Sequence, residues 1–140
     1  MFRKILLAYD GSQGANRALG AGIKLAQVHR AELWALAVEE RLPRFSGTID
    51  EVEEEKEFAN QLYGQLLKTA QARSKEAGVE LKTLLRAGHA AQTIIKVAQE
   101  GEFDLVLVGH SGLSGVWAKF LGTTAEKVSR HAPCSVLIVR

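Results

Sequence analysis

Gly109-His110-Ser111-Gly112, nine further residues and then Gly122-Thr123-Thr124 are the part of this chain whose residue types and spacing could do chemistry. The stretch lies between an apolar run, Leu105-Val106-Leu107-Val108, and a segment from Thr123 that reads as a helix. Glycine lets the main chain approach a ligand closely, and the unpaired N–H groups at a helix N-terminus attract anions. A strand that ends in glycine, opens into a Gly-rich loop and feeds a helix start is a layout for holding phosphate.

The elements that must position this stretch alternate along the chain. Ile5 to Tyr9 is a continuous apolar run, as expected of a strand covered on both faces. Asp10-Gly11-Ser12 reads as a turn, with Ser12 capping a helix whose stripe is Ala15, Ala18, Leu19, Gly22, Leu25 and Ala26. Leu33 to Val38 is the second predicted strand, with Trp34 in it, and residues 39 to about 50 form a loop with Pro43 and Gly47. A long helix follows to about Ala77, with Phe58, Leu62, Leu66 and Ala70 at helical spacing and Gly78 as its stop. Val79 to Arg86 alternates, which predicts a strand with one wet face at a sheet edge.

Ala91, Ile94, Ile95 and Ala98 mark a short helix, Leu105 to Val108 a buried strand, Thr123 to about His131 a helix, and Cys134 to Val139 the last strand. Strand–helix alternation throughout, with right-handed crossovers, predicts an α/β fold: one domain over residues 1–140, a doubly wound, Rossmann-like parallel sheet with helices on both faces. In such sheets ligands bind beyond the carboxyl ends of the strands, where the strand order reverses. Asp10 ends the first strand and Gly109 the fourth, so one crevice holds both if those strands are neighbours. Gly109 and Gly112 would form a flexible wall. Gly122, Thr123 and Thr124 would offer N–H groups and hydroxyls to phosphate, and Asp10 could accept hydrogen bonds from a ribose hydroxyl or an adenine amine.

The pattern Gly109-x2-Gly112-x9-Gly122-Thr123 resembles the nucleotide-binding signature of the universal stress protein family. The segments Lys4-Ile5-Leu6-Leu7-Ala8-Tyr9-Asp10-Gly11-Ser12 and Ala125 to Val139 also look like that family, and the resemblance is weakest between residues 40 and 60. It implies a five-stranded sheet in the order 3-2-1-4-5, a homodimer and, in one branch, ATP binding, with or without Mg2+. By position, Asp10 would contact adenine or ribose, and the main chain near Val38 would meet the adenine edge. Gly109 and Gly112 would line the ribose and phosphates, and Gly122, Thr123 and Thr124 would bind the phosphates. Tyr9, beside Asp10, and His110, in the loop, complete the candidate set. One departure is Gly88-His89-Ala90, where many members have Gly-x-Pro.

Composition bounds the alternatives. An apolar fraction of 46% with 24% charged residues is that of an ordinary globular protein. Eighteen Lys and Arg against 16 Asp and Glu, with no basic tract, give no footprint for nucleic acid. Cys134 stands alone, so no intramolecular disulfide or thiolate cluster forms, which fits a reducing cytoplasm; it reads as an inert packing residue at the start of a buried strand. No run of eighteen apolar residues predicts a membrane span.

Catalytic readings fare poorly. Adjacent His110 and Ser111 have diverging side chains, and no P-loop Gly-Lys-Ser/Thr is present, so little or no ATP turnover is expected. Ser135-Val136-Leu137-Ile138-Val139, uncharged and free of proline, would invite a second copy if it formed an open edge. Two competing readings remain: a dimer that binds no nucleotide and acts through protein contacts, and a slow ATPase or autophosphorylating protein.

Overall fold

The computed structural model describes residues 1–40, 48–110 and 121–140. Its elements run β1 (Lys4–Ala8), α1 (Gln13–His29), β2 (Glu32–Glu39), α2 (Ile49–Glu76), β3 (Leu81–Ala87), α3 (Ala90–Glu100), β4 (Leu105–Gly109), α4 (Thr123–His131) and β5 (Ser135–Val139). The five strands form one parallel sheet in the order β3-β2-β1-β4-β5. The order reverses between β1 and β4, which are neighbours with Leu7 opposite Leu107.

Strand periodicity divides the core into two layers. Ile5, Leu7, Leu33, Ala35, Leu105 and Leu107 point toward α1 and α2, whereas Leu6, Leu36, Val106 and Val108 point toward α3 and α4. Ile5, Leu6 and Leu7 are consequently all fully buried, which is why β1 reads as an unbroken apolar run. Helix α1 is capped by Ser12, whose Oγ accepts the Ala15 N–H at 3.1 Å, and it lies close to the sheet through Ala15, Ala18, Gly22 and Ala26.

Three expectations need correction. The stripe Phe58, Leu62, Leu66 and Ala70 does not all face the core: Ala70 is buried, but Phe58 is 70% exposed and Leu62 51%. Steps of four residues overshoot a full helical turn by about 40°, so a stripe of such steps winds off one face within three steps. The early half of α2 instead depends on local devices, chiefly the capping box in which Thr48 Oγ1 accepts the Glu51 N–H while Glu51 accepts the Thr48 N–H. Second, β3 starts at Leu81 rather than Val79, because the Val79 N–H and carbonyl both bond Ser74 and are lost to the ladder. β3 does lie at a sheet edge, as the alternation predicts.

Third, the last strand begins at Ser135, one residue after Cys134, and it is not buried: it pairs only with β4, and Leu137 is 40% exposed. Among the described residues no helix is long and apolar enough to cross a membrane.

Candidate functional site

At the reversal point the carboxyl ends of β1, β2 and β4 and the first turns of α1, α3 and α4 enclose a cleft of about 250 Å³. Tyr9, Asp10, Val38, Gly109, His110, Gly122, Thr123 and Thr124 all line it. Gly112 lies outside the described residues, as do Ser111, Gly115, Trp117, Lys119 and Phe120 and the loop with Pro43 and Gly47.

One end of the cleft is apolar, walled by Ala8, Leu36, Val38, Ile94 and Val108. Of these only Val38 belongs to the candidate set. The signal for the rest was present: positions 8, 36, 38 and 108 sit at strand ends on the α3–α4 side, as the two-residue period of each strand dictates. The first turn of α1 is the other omission, with Ser12, Gly14 and Ala15 on the lining.

The β1–α1 turn holds Asp10 at the mouth. Asp10 Oδ1 accepts the Ser12 N–H at 2.9 Å, an Asx turn that leaves the second carboxylate oxygen without a partner among the described residues. Gly11 follows with φ +80°, where a side chain would be strained and would also meet Leu66. Tyr9 borders the cleft, but its ring belongs to the α1–α2 layer and its hydroxyl donates to Asn16 Oδ1 at 2.8 Å. Burial pushes the Tyr9 phenol up, opposed by the Arg73 guanidinium and reinforced by Asp10, so it stays neutral at physiological pH.

Gly109 is not the flexible wall expected from the sequence. A Cβ there would lie 2.8 Å from the Gly14 carbonyl carbon and 3.0 Å from its oxygen, so the glycine lets α1 close against β4. His110 is 8% exposed and is clipped by its main chain on both sides: its N–H donates to Val139 O at 2.8 Å, and its carbonyl accepts the Gly122 N–H at 2.9 Å. Its imidazole has no hydrogen-bond partner among the described residues and borders the cleft.

The Gly122 bond corrects a second expectation, since that N–H is already used and cannot be offered to an anion. Gly122 is the N-cap of α4, and its carbonyl takes the Glu126 N–H at 2.9 Å. The open donors are the N–H groups of Thr123, Thr124 and Ala125, which have no acceptor among the described residues and carry the positive end of the helix dipole. At α3, His89 is an N-cap without a side-chain bond, preceded by Gly88 at φ +145°, and the Ala90 N–H is taken by Glu40 Oε1 at 3.1 Å.

Chemically, the arrangement can surround a flat apolar group at one end and hold an anion at the other. Among the described residues there is no group of three or more His, Cys, Asp or Glu side chains placed to hold a metal ion.

The model of the universal stress protein family matches residues 1–140. Universal stress protein YxiE of Bacillus subtilis is 34% identical over 148 residues, covering all of both chains. A universal stress protein of Thermus aquaticus is 36% identical over 144 residues, again covering both in full. Among solved structures, universal stress protein UspA from Lactobacillus plantarum superposes with a TM-score of 0.85 at 29% identity, over 99% of this chain and 98% of that one. Two more distant structures share the fold. One is a universal stress protein in complex with cAMP (TM-score 0.73, 24% identity, 99% and 97% coverage). The other is an Arabidopsis thaliana family member with AMP bound (TM-score 0.70, 16% identity, 98% and 90% coverage).

Proposed function

Because the chain belongs to the universal stress protein family, we propose that its cleft holds an adenine nucleotide, ATP included, and that the nucleotide regulates a dimer and is not turned over. The observation that carries this reading is the convergence of Tyr9, Asp10, Val38, Gly109, His110, Gly122, Thr123 and Thr124 on one cleft with an apolar end and an anion-seeking end. Leu36, Val38 and Ile94 offer a wall to the base. Asp10, with one carboxylate oxygen uncommitted, offers an acceptor to a ribose hydroxyl or the adenine amine. The open N–H groups at the start of α4 offer a seat to phosphate.

Two proteins of this fold hold cAMP and AMP, but at their low identity the argument rests on the lining residues of this chain. Mg2+ would arrive on the phosphates of ATP, since the described side chains supply no cluster to hold it.

Turnover has little support: among the described residues His110 is the one imidazole on the cleft lining and no hydroxyl is hydrogen-bonded to it. For the dimer, β5 offers an unpaired edge with Leu137 and Val139 partly exposed, a surface that a two-fold copy would cover. The single cysteine is compatible with a cytoplasmic setting.

The test is to record the absorbance spectrum of the purified protein, extract and identify any bound small molecule, and titrate the stripped protein with ATP, ADP and AMP by calorimetry. An adenine nucleotide in the extract and saturable binding are expected. No binding of any of the three at millimolar concentration would leave the protein-contact reading standing in its place.

A further inference from the structure

Beside the cleft lies a second and larger cavity of about 690 Å³, a groove between the first half of α3 and the length of α4. The two share Ala90, Thr123 and Thr124, so a ligand that leaves the first cavity past the start of α4 enters the second. This continuity matters because about 250 Å³ lies below the range of pockets that enclose a drug-sized ligand. The cleft suits a base and sugar, and a long anionic chain must continue elsewhere.

The charges along the groove are asymmetric. Thr123, Lys127 and His131 follow one another at four-residue spacing on one face of α4, and all three line the groove. They extend away from the open N–H groups for eight residues, about 12 Å of helix. His89 borders the groove at the start of α3. Glu40 is the only carboxylate on the lining among the described residues, and its Oε1 accepts the Ala90 N–H.

We infer that this groove is a subsite for an anionic chain carried on the terminal phosphate of the bound nucleotide, so that the ligand class extends to dinucleoside polyphosphates. The inference rests on the nucleotide reading of the adjoining cleft. Lys127 provides the permanent cation, His131 and His89 line the groove on either side of it, and the Glu40 carboxylate opposes it.

The experiment compares the affinities of AMP, diadenosine tetraphosphate and inorganic tripolyphosphate for the wild-type protein and three variants at low ionic strength. Diadenosine tetraphosphate is expected to bind more tightly than AMP. Lys127→Gln is expected to cut that preference by roughly twofold to fivefold, the size of one exposed charge pair. Glu40→Gln, which keeps an oxygen for the Ala90 N–H, is expected to raise it by a similar factor. Arg130→Gln removes a cation that pairs with Glu126 and does not line the groove, and should leave the preference unchanged.

A preference untouched by Lys127→Gln, an equal loss for AMP and the longer ligand, or an equal effect of Arg130→Gln overturns the groove. If no adenine nucleotide binds but tripolyphosphate does, and depends on Lys127, the nucleotide reading falls while the groove stands as an anion site. If neither binds, both fall.

Discussion

Gly109→Ala tests whether the glycine at the end of β4 serves the ligand or the fold. The new Cβ would sit 2.8, 3.0 and 3.1 Å from the carbonyl carbon, oxygen and Cα of Gly14. Relaxed carbon contacts lie near 3.5–4.0 Å, so about 0.5–1 Å of separation must be found. No rotamer change can supply it, because all three obstructing atoms are backbone. The first turn of α1 is also fastened, by the Ser12 cap at 3.1 Å and the Asp10 bond to the Ser12 N–H at 2.9 Å.

Overpacking of this kind costs about 1–3 kcal/mol. At roughly 3 °C per kcal/mol for a chain of this length, the melting temperature of the nucleotide-free protein should fall by about 3–9 °C. Urea unfolding should show the same loss as a lower midpoint with an unchanged slope. Gly64→Ala is the control of opposite sign. A Cβ there meets nothing within 4 Å, so helix propensity alone should stabilise α2 by up to about 1 kcal/mol. A nucleotide-free Gly109→Ala protein as stable as wild type, with only its ATP affinity reduced, would refute the packing argument and return Gly109 to the ligand.

Gly122→Val should lower ATP affinity by about tenfold or more, because a branched side chain then crowds the start of α4. The backbone of Gly122 is extended, at φ −62° and ψ 151°, so valine can adopt it and the protein should fold; unchanged affinity by calorimetry would sink the phosphate seat. Thr48→Ala removes the capping box and should cost about 1 kcal/mol locally. Since the early half of α2 is exposed, circular dichroism should lose helical signal at low temperature before the main transition moves, and an unaltered spectrum would argue against the cap. Burial pushes the Cys134 thiol up, with Asp104 adding to it, so less thiolate is present at pH 8 than in a free cysteine. Iodoacetamide should therefore label the native protein more slowly than the urea-unfolded one, and equal rates would contradict that environment.

Where a residue's neighbours are set by local period, the sequence alone was enough. The unbroken run Ile5-Leu6-Leu7 implies cover on both faces, and the structure supplies a helical layer on each. The alternation after Val79 implies an edge, and β3 is one. The five-strand order was what the family resemblance implied, and the convergence of Asp10 with Gly109 followed once β1 and β4 were neighbours. What could not be read were the consequences of three-dimensional approach. Gly109 looks like a ligand glycine in any linear reading, because Gly14 is 95 positions away in sequence.

The Gly122 N–H looks available until the chain folds back and His110 accepts it. Phe58 and Leu62 have helical spacing, but which way a stripe turns relative to a distant sheet depends on where the helix is anchored, and α2 is anchored at Leu67, Ala70 and Ser74. The apolar wall of the cleft was legible in principle, yet Ala8, Leu36 and Val108 look like ordinary core residues until strand ends are aligned.

The bond from the Gly122 N–H to the His110 carbonyl has a consequence for how this chain tolerates change. It closes residues 110 to 122 into a ring with a fixed neck, and the His110 N–H pins that neck to Val139. The position of the α4 start is thereby tied to the ends of β4 and β5. Breaking the neck would forfeit a hydrogen bond with a net worth of about 1 kcal/mol and expose the helix start to drift. Substitutions that disturb the two end residues are therefore expensive. The open N–H groups beyond Gly122 keep their address for as long as these two bonds hold.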